Sequence, residues 1–213
     1  MKTDELIAMI AAVAVPVKTG AASRRLRYAL AWGIPSALLL MATILGVRPD
    51  IWQAATIPMF WLKVLFPTAV ALVSFGLAQR LSRPGAGLGW LPAILAGLFI
   101  AIWLLGVFVV AQADVSKRSE LVFGESWATC PFSITLLSVP LFVATMWAIK
   151  GLAPTRLTLA GAAAGLLAGG AASTVYALHC PEMTAPFIGI WYVGGMMIPT
   201  AIGAIMGPRL LRW

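Results

Sequence analysis

Charge is what this chain most lacks. Only 10% of its residues are Asp, Glu, Lys or Arg, 61% are hydrophobic, and the mean hydropathy is +0.95. Soluble globules carry about a quarter charged residues, so that class is excluded. Histidine occurs once and cysteine twice, with no Cys-x-x-Cys and no His-Glu-x-x-His. Quinone-linked thiol oxidases and zinc proteases are thereby removed. Gly85-Ala86-Gly87-Leu88-Gly89 lacks the Gly-Lys-Ser/Thr ending of a phosphate loop and reads as a turn. Ser133, Thr135 and Ser138 lie in an apolar run, where hydroxyls usually bond a carbonyl one turn back. No catalytic set is left.

What the chain has is long apolar runs. In lipid only helices and closed barrels satisfy the backbone, and runs of about 18 to 24 residues without two-residue alternation select helices. Six spans are predicted, over residues 29–47, 57–78, 88–111, 132–149, 157–178 and 187–206. The expected fold is an all-α integral membrane six-helix bundle at 29–213, preceded by a separate segment at 1–28. Arg24, Arg25 and Arg27 precede the first run, but it starts late and lacks a small-x-small cleavage site, so it reads as a span and not a signal peptide. Pro35, Pro67, Pro140 and Pro199 fall inside spans, where neighbouring helices absorb a kink. Gly161, Gly165 and Gly169, with Gly203 and Gly207, repeat every fourth position and predict close packing of the last two spans.

Orientation follows from Lys and Arg. Eleven fall in the two tails and the second and fourth loops; the opposite loops hold Arg48, Lys117 and Arg118, with five of the seven acids. Both termini are therefore expected in the cytoplasm. The net charge of +8 is mostly this topology signal together with attraction to anionic lipid. Scattered over four membrane edges, the basic residues form no nucleic-acid-binding face.

The 1–28 segment is the one cytoplasmic stretch long enough to engage a protein. Thr3 is placed to cap a helix carrying Asp4 and Glu5 in its first turn. Leu6, Met9, Ile10 and Val13 share one apolar face, and Pro16 ends the pattern. That face either lies on the bilayer or bundle, or docks in the groove of a soluble partner.

On the opposite side, Cys130-Pro131 and Cys180-Pro181 sit beside apolar runs, so short loops at one mouth are expected to present both thiols. That placement suggests a sensor. The pair could be packing residues, a permanent disulfide, or a switch working as a reversible disulfide or soft-metal site. No resident cofactor is expected. His179 and Glu182 beside Cys180 add donors for a transient ion such as zinc or cadmium. Lys63, the one charge within a span, either snorkels outward or pairs with Asp50, Glu125 or Glu182 to couple loop state to helix position.

Met1-Lys2-Thr3-Asp4-Glu5-Leu6-Ile7, Gly46-Val47-Arg48-Pro49-Asp50, Phe60-Trp61-Leu62-Lys63 and His179-Cys180-Pro181-Glu182, in that order along the whole chain, resemble the NrsF-type negative regulators of sigma factor. The resemblance implies a bacterial inner-membrane protein that holds an extracytoplasmic-function (ECF) sigma factor inactive. It also implies that Cys130 and Cys180 take part in a response to heavy metal or oxidative stress. No family contact motif carries the partner-binding residues over, so Leu6, Met9, Ile10 and Val13 rest on periodicity alone. Moving partner occupancy from 99:1 to 1:99 requires two packings that differ by about 5.5 kcal/mol in preference for the partner. The competing reading is a small transporter or channel with Lys63 and the span prolines along its path.

Overall fold

The structure, a computed structural model, describes residues 3–13 and 20–212; the side chains of Leu6, Ile10 and Val13 lie outside that description. Among the described residues all regular structure is helical. In chain order the helices are α1 (Thr3–Val13), α2 (Ala21–Leu45), α3 (Ile51–Ala54), α4 (Pro58–Leu81), α5 (Leu91–Gln112), α6 (Val115–Phe123), α7 (Cys130–Lys150), α8 (Leu157–Tyr176) and α9 (Ala185–Leu210). Six of them, α2, α4, α5, α7, α8 and α9, are long and apolar enough to cross a membrane. The expected all-α six-helix bundle is therefore found.

Packing explains which helix sits where. The span least rich in large apolar residues, α8, has a mean hydropathy of 1.4 yet is 78% buried, whereas α5, at 2.8, is 17% buried. Lipid is itself apolar, so the most hydrophobic helix gains nothing by going inside. The small-residue helix gains close contact. On α8, Gly161, Gly165 and Gly169 face α9: a methyl group on Gly161 would overlap the Gly203 carbonyl, and one on Gly165 the Pro199 carbonyl. On its other side a methyl group on Gly170 would stand 3.0 Å from the Pro67 carbonyl of α4. The glycine repeat is thus an intramolecular packing device, as predicted.

Hydropathy misjudged some helix limits. The first span begins at Ala21, after an N-cap Gly20 with φ +86°, about two turns before the predicted start. Arg24, Arg25 and Arg27 thus belong to α2, with the Arg25 guanidinium against Gly151. An apolar run marks hydrocarbon depth, and a helix continues beyond it wherever long cationic side chains reach the polar surface. The last span runs past residue 206, with Pro208 inside α9. Thr135 and Ser138 bond the carbonyls of Pro131 and Thr135, one turn back, as expected. Two π turns, Met41–Leu45 and Ile188–Tyr192, had no signal in the sequence. The loops hold short helices too: α6 is fixed to α9 through Trp191 Nε1, which donates to Val122 O at 2.8 Å, and through rings of Phe123, Trp127 and Trp191 with centroids 5.2 to 6.0 Å apart.

Candidate functional site

The segment after α8 organises one mouth of the bundle. Helical turns carry past Tyr176 until the Cys180 amide donates to Tyr176 O at 3.1 Å. Pro181 has no N–H to continue, so the chain turns away with its last carbonyls pointing outward. Those carbonyls carry the negative end of the α8 dipole. Two cations come to them. Lys63 Nζ of α4 donates to Cys180 O at 2.5 Å and to Glu182 O at 2.8 Å; Arg48 Nη1 donates to Cys180 O at 3.3 Å, and the Arg48 amide to Leu178 O at 3.2 Å.

Lys63 is fully buried, which corrects both expectations for it. It does not snorkel, and no carboxylate pairs with it among the described residues. Asp50 is taken by Arg48, and the Glu182 carboxylate accepts the Glu125 amide at 2.8 Å, leaving only the Glu182 backbone to Lys63. Burying an ammonium costs several kcal/mol, and each charge-assisted hydrogen bond returns about 1.5 to 3. The Tyr192 ring, 5.6 Å from Nζ, adds a cation–π contact.

Arg48 is buried and forms a bidentate pair with the half-exposed Asp50, Nε to Oδ1 at 2.8 Å and Nη2 to Oδ2 at 2.6 Å. The hydrogen bonds from Arg48 hold the Asp50 carboxyl below the usual carboxylate range, and the same bonds raise the guanidinium. His179 stands 2.8 Å through Nδ1 from Gly46 O. A carbonyl only accepts, so Nδ1 carries the proton. The 46–50 loop, α4 and the loop that holds Glu125 are thus all tied to residues 178–182.

Both thiols are free and wholly buried, contrary to the expectation that exposed loops present them. Cys130 is the first residue of α7 and enters the core with it; Cys180 is turned in by the bonds to its carbonyl. The Tyr176 hydroxyl lies beside both sulfurs, so the structure does bring the pair to one place. Ser126 Oγ is 3.9 Å from Cys180 Sγ. Tyr192, also beside Cys180, keeps a buried hydroxyl with no hydrogen-bond partner among the described residues. His179 and Glu182 do not join the sulfurs. Among the described residues no three His, Cys, Asp or Glu side chains are arranged to hold a metal.

Sequence reasoning missed Tyr176, Tyr192 and Ser126, and it saw Arg48 only as a loop charge. Tyr176 had a usable signal, four residues before Cys180 and so on the same helical face. Tyr192 had none, since the π turn sets its direction. In α1, Met9 and Ile7 are exposed; of the predicted docking face, Leu6, Ile10 and Val13 lie on this helix with side chains outside the described residues.

Comparison with known proteins agrees over the whole length. Residues 10–213 match the family model for NrsF, negative regulator of sigma F. The chain is 49% identical over 213 residues to the protein of Azospira oryzae named "Probable anti-sigma-F factor NrsF", covering all of both chains. It is 40% identical over 216 residues to the "Anti-sigma-F factor NrsF" of Caulobacter vibrioides, again covering both completely. No solved structure matches the chain. By its full-length identity to these two proteins and its match to the family model, the chain belongs to the NrsF family of negative regulators of sigma F.

Proposed function

We propose that this chain is a membrane-bound anti-sigma factor that holds an ECF sigma factor at the cytoplasmic face of the bacterial inner membrane. Its family is regulatory and not enzymatic. The observation that carries the reading is the full-length relation to two proteins named anti-sigma-F factors. The excess of Lys and Arg in the tails supports a cytoplasmic side for both termini, and with them for α1. Every α1 side chain that is described is exposed, including Ile7 and Met9, so the helix is available to a soluble partner.

In this reading the 178–182 hub on the other face is the receiver. Heavy-metal or oxidative chemistry at Cys130 and Cys180 repositions the segment that Lys63 and Arg48 grip. Lys63 lies on α4 and Cys180 follows α8, so a change in that grip acts on two helices packed along their length. Because both sulfurs are buried, reaction requires the hub to open first. That favours a two-state switch over continuous titration. A transport path gains no support from Lys63, whose ammonium is committed to carbonyls.

The test is affinity purification of the full-length protein from native membranes of its own host, with mass spectrometry of what accompanies it. A sigma factor recovered in stoichiometric amount, and lost after cadmium or peroxide treatment, is the expected result. Recovery with no sigma factor, together with solute flux in proteoliposomes, would replace this reading with a transporter.

A further inference from the structure

A groove of about 330 Å³ between α5 and the start of α9, with Val122 of α6 also in its lining, takes no part in the site above. Its volume is in the range of small-molecule sites. Val107, Val110, Val122 and Ile190 line it, and Gly106 and Gly189 form its floor. A Cβ at Gly106 would lie 3.2 Å from Pro186 Cα, and one at Gly189 3.2 Å from Trp103 Cδ1, so the helices close at the floor while the walls above stay apart. The Gly189 carbonyl, within the π turn, is capped by Trp103 Nε1 at 2.7 Å. With that group satisfied, the groove offers only van der Waals contact, and Val107 at its edge is 67% exposed on the span most open to lipid. Hydrocarbon is what it suits.

The rim separates this groove from an ordinary crease between helices. Val122 lines it, and Arg118 is one turn earlier on the same face of α6, exposed, with Nε donating at 3.2 Å to Ala113 O. Ala113 lies two residues beyond Ala111, which also lines the groove. Asp114, the N-cap residue of α6, lies four positions before Arg118 and is exposed too. Arg118 and Asp114 form no ion pair within 4.0 Å among the described residues. A cation and an anion one turn apart, above a groove for hydrocarbon, match a zwitterionic headgroup above an acyl chain.

We propose that the α5–α9 groove holds one acyl chain of an aminophospholipid from the bilayer, with its phosphate on Arg118 and its ammonium group on Asp114. A bidentate guanidinium–phosphate contact is strong and directional. Asp114 selects against phosphatidylglycerol, whose headgroup brings no cation, and against phosphatidylcholine, whose trimethylammonium has no N–H to donate.

The experiment is native mass spectrometry of the delipidated full-length protein, re-equilibrated with equal amounts of phosphatidylethanolamine, phosphatidylglycerol and phosphatidylcholine. Wild type is expected to retain one phosphatidylethanolamine in preference to the others. Arg118→Gln should lower retention about tenfold, the worth of one charge-assisted bond. Ala111→Trp, at an exposed lining position, should fill the groove and lower it similarly with helix content unchanged. Asp114→Asn should move the preference towards phosphatidylglycerol. Equal retention of the three lipids by wild type, or unchanged retention in both Arg118→Gln and Ala111→Trp, would mean annular lipid only and overturn the proposal.

Discussion

Lys63 Nζ lies 2.5 Å from the carbonyl oxygen of Cys180, which makes the one charge buried within a span, among the described residues, the clamp on one of the two cysteines. Lys63→Met keeps the volume and removes both hydrogen bonds. The Glu182 carbonyl is then left without its Lys63 donor and the Cys180 carbonyl keeps only the longer bond from Arg48 at 3.3 Å; a buried carbonyl without a donor costs about 1 to 3 kcal/mol, and that cost falls on residues 178–182. In a Cys130→Ala background, maleimide labelling of Cys180 in membranes should speed up by about tenfold or more. Labelling as slow as in the parent would show that the segment is held without Lys63.

The Arg48–Asp50 pair gives a pH dependence of fixed sign. Asp50 has its folded-state pKa depressed by the Arg48 hydrogen bonds, so its contribution is present above the unfolded value and is lost as pH falls through the folded one. The window opens near the ordinary carboxylate value, about 4, and extends downward. Melting temperature of the purified protein between pH 7 and pH 3 should fall more steeply for wild type than for Asp50→Asn. Parallel curves would remove the pair from the pH response.

Glycine positions on the spans separate into tight and open ones. A methyl group on Gly161 would meet the Gly203 backbone, whereas one on Gly97 would meet nothing within 4 Å. Overpacking commonly costs about 1 to 3 kcal/mol, and here the obstacle is backbone, which cannot rotate away. Gly161→Ala should lower the melting temperature measurably; Gly97→Ala should leave it unchanged or raise it, since alanine favours helix. Equal effects would mean that α8 and α9 separate easily.

The sequence showed the bundle because hydropathy and glycine spacing report directly on lipid depth and close approach. Hydropathy alone locates all six spans, and the four-residue spacing of Gly161, Gly165 and Gly169 predicts the close packing that the structure has. The sequence did not show the hub, because the hub depends on backbone carbonyls, which every residue carries. Lys63 stood out as a lone charge, yet its partners are the carbonyls of Cys180 and Glu182, so a search for acids named the wrong groups of Asp50, Glu125 and Glu182. The position of each cysteine beside an apolar run implied exposed loops; in the structure Cys130 is itself the first residue of α7, with Pro131 in its first turn, and is buried.

The thiols act as a unit if the proposed switch holds. Cys130→Ser and Cys180→Ser should each alter the metal or oxidant response of the target transcripts, and the double variant should resemble the singles, because neighbours in one site are not additive. Thiol-trapping mass shifts before and after exposure would follow the chemistry. Unchanged shifts, together with wild-type induction in both variants, would reduce the pair to core packing.

Docking through α1 makes the sharpest demand on sequence. Leu6, Met9, Ile10 and Val13 fall on one face at helical spacing, while Ala8 lies nearly opposite. A groove-bound helix loses about 1.5 to 3 kcal/mol for each large apolar side chain withdrawn from contact, roughly a tenfold to hundredfold weaker complex. Leu6→Asp and Ile10→Asp should therefore release the sigma factor and raise its target transcripts, with membrane insertion intact. Ala8→Asp introduces the same charge into the same helix on the far face and should repress normally. Release by all three would point to a general charge effect on α1. Repression by all three would move the docking surface to the loops on the same side as α1, where Arg80 lies in the last turn of α4 and Arg83 just beyond it.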